Sequence, residues 1–174
     1  MKKFLVVVDM QNDFVDGALG SAEAVAIVDN AVREIEAFDG DIFATFDTHY
    51  DNYLETEEGK KLPVKHCIEG TAGWELNDKI KSALDKRGYT PVKKLTFGSM
   101  ELPRLIEERA QGDTVSVELI GLCTDICVVS NALILKAAFP EGKVSVNPAC
   151  CAGVSVETHN AAISTMGCCQ IDII

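Results

Sequence analysis

The chain has 174 residues with 16 basic and 27 acidic side chains, a formal net charge of −11, and is 47% hydrophobic and 25% charged. That balance suits a single globular domain over residues 1–174 and excludes disordered, collagenous and coiled-coil classes. Scattered basic residues on an acidic chain argue against a nucleic-acid partner, and no apolar run is long enough to cross a bilayer.

The first predicted element is a strand at Phe4–Val8, an uninterrupted apolar run of the kind that is covered on both faces. The run stops at Asp9 with no small-residue cleavage site, so it is not read as a secretory leader, and the expected compartment is the cytoplasm. Ser21 opens a helical pattern that places Val25, Val28, Val32 and Ile35 on one face and ends near Asp39-Gly40. A second strand follows at Ile42–Phe46.

Residues 47–73 lack clear periodicity and are punctuated by Gly59, Pro63, Gly70 and Gly73. A connection that long in a compact domain is usually functional. A helix bearing Leu76, Ile80, Ala83 and Leu84 then runs to Gly88, followed by a strand at Tyr89–Lys93. Ser99 caps a helix with Leu102, Leu105 and Ile106, and Thr114–Ile120 is a strand. A helix is predicted from Thr124 to Ala138, stopped by Pro140. A strand at Lys143–Val146, a helix over Ser155–Met166 and a terminal strand at Gln170–Ile174 complete the series. Strands alternating with helices specify an α/β fold with a mostly parallel central sheet. The residues just after each strand therefore gather at one edge, where such sheets bind ligands.

Reactive side chains collect at that edge. Asp9 follows the first strand, Asp47-Thr48-His49 the second, Lys93-Lys94 end the third, and Cys123-Thr124-Asp125-Ile126-Cys127 follow the fourth. Cys127, in the first turn of a helix and beside a lysine, is the candidate nucleophile, with a thiol pKa expected to be lowered. Asp9 is placed to take the thiol proton and return it to a leaving amine. The backbone N–H groups of Cys123 and Cys127 form a candidate oxyanion hole. Together these parts suit acyl transfer from an amide through a thioester.

A second constellation, Asp47, His49 and His66, has the residue types of a zinc, manganese or iron site, with Glu55, Glu57 or Glu58 as a fourth ligand. The seven cysteines include the adjacent pairs Cys150-Cys151 and Cys168-Cys169, both read as buried reduced thiols, and His159 is read as an exposed or capped polar residue.

The segments Val6–Phe14, Asp47-Thr48-His49, Lys94 with Thr96–Ser99, and Gly121–Val128 resemble the isochorismatase-like cysteine hydrolases, and Pro63–Thr71 points to their nicotinamidase branch. The resemblance implies a three-layer α/β/α fold with a parallel six-stranded sheet, an Asp9–Lys94–Cys127 triad, and hydrolysis of nicotinamide to nicotinate and ammonia. It also implies a cis peptide bond between Leu122 and Cys123, Phe14 in the substrate pocket, and a divalent metal that holds the substrate's ring nitrogen. Zinc is the first choice of metal, with manganese or iron as alternatives, and Glu58 has the spacing to complete the Asp47, His49 and His66 set. Leu62 stands near the place where relatives carry a ring-clamping aromatic, and Cys123 replaces a more usual alanine. Spacing to Gly98-Ser99 favours Lys94 over Lys93. The implied partners are a small-molecule amide and further copies of the chain. Two other readings remain: a metal-independent hydrolase of another small amide or carbamoyl compound, and a non-catalytic metal- or redox-responsive binding protein.

Overall fold

The computed structural model describes residues 1–174. Six parallel strands form one sheet: β1 (Lys2–Val8), β2 (Asp41–Asp47), β3 (Thr90–Lys94), β4 (Val115–Leu122), β5 (Lys143–Ala152) and β6 (Asp172–Ile173). Their spatial order is β3-β2-β1-β4-β5-β6. The order reverses beside β1, so the crevice at the carboxyl end of β1 and β4 is the topological switch point.

Helices α1 (Asn12–Val15), α2 (Ala22–Ala37), α3 (Glu57–Lys61), α4 (Asp78–Arg87), α5 (Glu101–Ala110), α6 (Val129–Ala138) and α7 (Val156–Cys168) accompany the sheet. Alternation along β1 sorts its side chains into two cores. Leu5 and Val7 pack with α2 and α4, while Phe4, Val6 and Val8 pack with α5, α6 and α7.

Several elements differ from the sequence reading. The buried stripe of α2 is Ala24, Val28, Ala31 and Ile35, whereas Val25 is 51% exposed and Val32 half-buried. The two alanines bring the helix close to the sheet, a fit that counting the larger apolar side chains does not reveal. Within the long connection, a turn of 3-10 helix (Tyr53–Glu55) and α3 are too short to show a period. Strand β5 continues to Ala152 because a bulge around Pro148 slips its register against β4 between Leu119 and Gly121. Proline cannot donate to the ladder, and a bulge is where a strand tolerates it. Cys150 and Cys151 are buried free thiols at that strand end, but Cys168 and Cys169 are exposed, because α7 ends there at the surface.

Gly121 lets β4 approach β1. It has φ +115°, and a Cβ there would lie 2.2 Å from the Val8 carbonyl oxygen. Gly121→Ala is therefore expected to destabilise the fold by at least about 1 kcal/mol. Thermal unfolding should register this as a melting point lowered by at least about 2–4 °C; an unchanged melting point would contradict the close packing.

Candidate active site

Four strand ends deliver the site. Asp9 follows β1 in a left-handed conformation (φ 47°), Asp47 and Lys94 are the last residues of β2 and β3, and Cys127 follows β4. Asp47 and Lys94 are also register partners across the β2–β3 pair. Lys94 is the hub. Its Nζ lies 2.7 Å from Asp9 Oδ2, 2.9 Å from Asp47 Oδ1 and 3.5 Å from Cys127 Sγ. All four residues are buried. Lys93, by contrast, is exposed, paired with Glu69 and set over the Trp74 ring.

The protonation states follow from this burial. Desolvation pulls the Lys94 pKa down, but Asp9, Cys127 and Asp47 outweigh it and keep the ammonium charged above the usual lysine range. Burial is the main reason Asp9 is raised from its ordinary value, with Lys94 opposing. Cys127 departs from the sequence reading. Burial first, then the charge of Asp9, hold its thiol well above the usual range, and Lys94 only partly offsets them. Cys127 therefore rests as a thiol, and attack by its sulfur would need a base within the site. Asp9, with Oδ2 2.7 Å from the Lys94 ammonium and its carboxyl in contact with the Cys127 thiol, is the carboxylate available there.

The turn carrying Cys127 also differs from expectation. Thr124–Val128 winds as a π-helical turn before α6 begins, and the Val128 N–H donates to Cys123 O at 3.0 Å. Such turns often occur at functional sites. The peptide bond between Leu122 and Cys123 is cis, and Cys123 N-caps the π turn.

Asp47, His49, Glu58 and His66 offer ligand atoms that all lie within 4.8 Å of one another. His49 Nε2 is 2.9 Å from Asp47 Oδ2 and 3.6 Å from Glu58 Oε1, and His66 Nε2 is 3.7 Å from each of those oxygens. His66 directs its Nδ1 to Val64 O at 2.8 Å, which turns Nε2 inward as a metal-binding histidine requires. His49 Nε2 is buried without a hydrogen-bond partner. A cation among two histidines and two carboxylates would satisfy that nitrogen, so the residues present fit a divalent metal. Glu55 and Glu57 are exposed and lie outside that ligand group, although Glu57 lines the adjoining cavity. Gly59 lets α3 seat against the loop that supports Glu58, since a Cβ there would meet Tyr53 O at 2.0 Å.

One cavity of about 850 Å³ joins the two constellations. Its lining includes Phe14, His49, Glu58, Leu62, His66 and Cys127. Cys123 also lines it, while Asp9 and Lys94 lie outside the lining.

Sequence reading missed the residues that hold these groups in place. Thr45 Oγ1 donates to Asp9 Oδ1 at 2.7 Å. Gln11, fully buried, accepts from the Asp47 N–H at 2.8 Å and donates to Asp47 O at 2.9 Å. Asp13 Oδ2 accepts from the Cys67 N–H at 2.8 Å, fixing the residue next to His66. Asn131 Nδ2 donates to Cys127 O at 2.8 Å. His159 is half-buried rather than exposed, with Nδ1 2.8 Å from Thr124 Oγ1. The available signal was a lone polar residue in an apolar run, such as Thr45 in Ile42–Phe46 or Asn131 in α6.

Thr45 gives a direct test of Asp9. Its hydroxyl favours the Asp9 carboxylate, so Thr45→Val should raise the Asp9 pKa further. A base with a raised pKa is ionised only at higher pH. The acidic limb of the kcat/KM profile should move upward, with a loss of about three- to tenfold at neutral pH, the scale of one hydrogen bond. An unmoved limb would remove Asp9 as the base.

Residues 3–173 match the family profile described as the isochorismatase domain. The chain belongs to the isochorismatase family. Within that family it is 28% identical to a nicotinamidase/pyrazinamidase of Mycobacterium tuberculosis, over 98% of this chain and 97% of that protein. A pyrazinamidase/nicotinamidase structure from Streptococcus mutans superposes with a TM-score of 0.86 at 26% identity, covering 99% of this chain and all (100%) of that one. A Pyrococcus horikoshii pyrazinamidase in complex with zinc shares the fold, with a TM-score of 0.81 at 24% identity over 100% and 99% of the two chains. No helix of this isochorismatase-family protein is long and apolar enough to cross a membrane.

Proposed function

We propose that this protein is a metal-assisted cysteine amidohydrolase that converts nicotinamide and water to nicotinate and ammonia. The observation that carries the reading is the single cavity in which Cys127 shares the lining with His49, Glu58 and His66. A thiol suited to acyl transfer and a cation site suited to a ring nitrogen thus face one small-molecule space. The nicotinamidase relatives support the same substrate.

Asp9 accepts the Cys127 Sγ proton, and the sulfur forms a bond to the carboxamide carbon as the carbonyl π electrons move to oxygen. The backbone N–H groups of Cys123 and Cys127 hold that oxyanion. The oxyanion then collapses, the C–N bond breaks, and Asp9 returns the proton to nitrogen, releasing ammonia and leaving a thioester. Water attacks the thioester, gives one proton to Asp9, and the C–S bond breaks to release nicotinic acid, whose carboxyl proton passes to the ammonia in solution to leave nicotinate and ammonium. The proton on Asp9 returns to sulfur. Lys94 keeps its ammonium throughout and steadies whichever of Asp9 and Cys127 is negative. Asp47, His49, Glu58 and His66 would hold a divalent metal, with zinc proposed from the zinc-bound neighbour. When bound, it supplies a Lewis-acid anchor that orients the pyridine ring.

A panel of amides assayed for ammonia release tests this reading. Zinc-loaded protein should turn over nicotinamide with one nicotinate formed per ammonia. Chelation should lower turnover at least about tenfold and zinc should restore it, in line with the cost of losing a positioning group. Absence of ammonia from nicotinamide would overturn the assignment.

A further inference from the structure

We propose that the cavity carries an apolar rim subsite for substrates larger than nicotinamide, namely heteroaromatic amides with an apolar substituent on the ring. The inference rests on the amidohydrolase reading and extends its substrate class. A cavity of about 850 Å³ lies in the upper part of the roughly 300–1,000 Å³ range that holds drug-sized ligands. A single ring with one carboxamide fills a small part of it.

The space beyond the ring has a definite chemistry. Leu62, Leu95, Phe97 and Val154 are 38%, 61%, 46% and 65% exposed, and all four line this cavity. Large exposed apolar side chains gathered at one opening mark a binding surface. The opening is continuous with Cys127, so the occupant that reaches it from within is the substrate itself.

Two of these residues are pinned through their backbones by the segment that carries the nucleophile. Asn131, fully buried in α6, donates to Phe97 O at 3.3 Å and to Cys127 O at 2.8 Å, and accepts from the Ser99 N–H at 2.9 Å. Asp125, in the π turn, accepts from the Val154 N–H at 3.1 and 3.2 Å through its two oxygens. The backbones of Phe97 and Val154 are therefore fixed relative to the thiol before any ligand arrives. A preformed apolar rim loses little freedom on binding, which is the condition for gaining affinity from a modest contact area.

The test uses zinc-loaded full-length protein and propyl-substituted nicotinamides, with the chain at each free ring carbon in turn. For at least one isomer, kcat/KM should exceed that of nicotinamide by about three- to tenfold, mainly through KM, as burial of about one to two methylene groups of the chain predicts. Phe97→Ser and Val154→Ser should each bring that ratio back toward one. Hydrolysis of nicotinamide alongside uniformly poorer propyl isomers would overturn the subsite, as would a ratio unmoved by both substitutions. Failure to hydrolyse nicotinamide at all would strike the amidohydrolase reading instead. The rim would then be judged by calorimetric binding of propylnicotinate against nicotinate, where equal or weaker binding of every propyl isomer rejects it.

Discussion

Cys127→Ala is expected to lower nicotinamide turnover by at least about 10³-fold, the scale of losing a covalent nucleophile. The reason lies in how the thiol is kept. Its burial and the charge of Asp9 hold it protonated, so its reactivity exists only where Asp9 can take the proton and Lys94 can meet the resulting sulfur anion. Alanine removes the one atom on which those neighbours act. The candidate metal ligands come from β2 and the connection that follows it, so the variant should still bind zinc and nicotinamide. Retained zinc binding with lost ammonia release would separate chemistry from folding. Retained turnover would remove the thioester route.

Lys94→Met is the second large effect, and it reaches stability as well as activity. Lys94 is the cation between two buried carboxylates, with 1% of its side chain exposed. Removing one member of a buried ion pair costs roughly 3–5 kcal/mol, because the remaining charges stay buried without compensation. The sign of the pH dependence follows from the same contacts. Lys94 lowers the pKa of both Asp9 and Asp47, so in the variant both carboxyls shift upward. The folded variant then binds protons more readily than the unfolded chain at pH values above the ordinary carboxylate range. Its stability deficit against the parent should therefore shrink as pH falls through those raised values and grow again as pH rises. In the parent, the raised lysine pKa means its contribution is complete below the ordinary lysine value of 10.5 and is lost progressively as pH rises from there through its folded value. Denaturant unfolding at several pH values measures this; a pH-independent deficit would show that the two carboxylates do not depend on Lys94 for their charge.

Much of the architecture was legible because the apolar runs are strong. Phe4–Val8 and Ile42–Phe46 read as buried strands, their alternation with helices as a parallel sheet, and parallel strands put their following residues at one edge. That topological fact, rather than any local pattern, pointed to Asp9, Lys94 and Cys127 together. The resemblance to a known family supplied what residue chemistry alone left open, including Glu58 among three neighbouring glutamates and the six-stranded sheet.

What stayed hidden was whatever depends on packing rather than period. The stripe of α2 uses alanines because the sheet is near, and α3 is too short for a repeat. The π turn is set by how β4 meets α6, which leaves no compositional trace. The thiol's state was read from its place in a helix's first turn and from its lysine neighbour, whereas burial is the larger influence. Thr45, Gln11 and Asn131 act through contacts made across 36, 36 and 32 positions of chain, a separation that no window of sequence spans.

The most direct test of the central claim is to expose zinc-loaded protein to nicotinaldehyde labelled with carbon-13 at the carbonyl. An aldehyde accepts the attacking sulfur but has no leaving group, so it reports attack without depending on turnover. The account predicts that the carbonyl resonance moves to the thiohemiacetal region with the parent protein and stays at the free or hydrated aldehyde position with Cys127→Ala. A resonance that does not move in the parent, or that moves equally in the alanine variant, would contradict it.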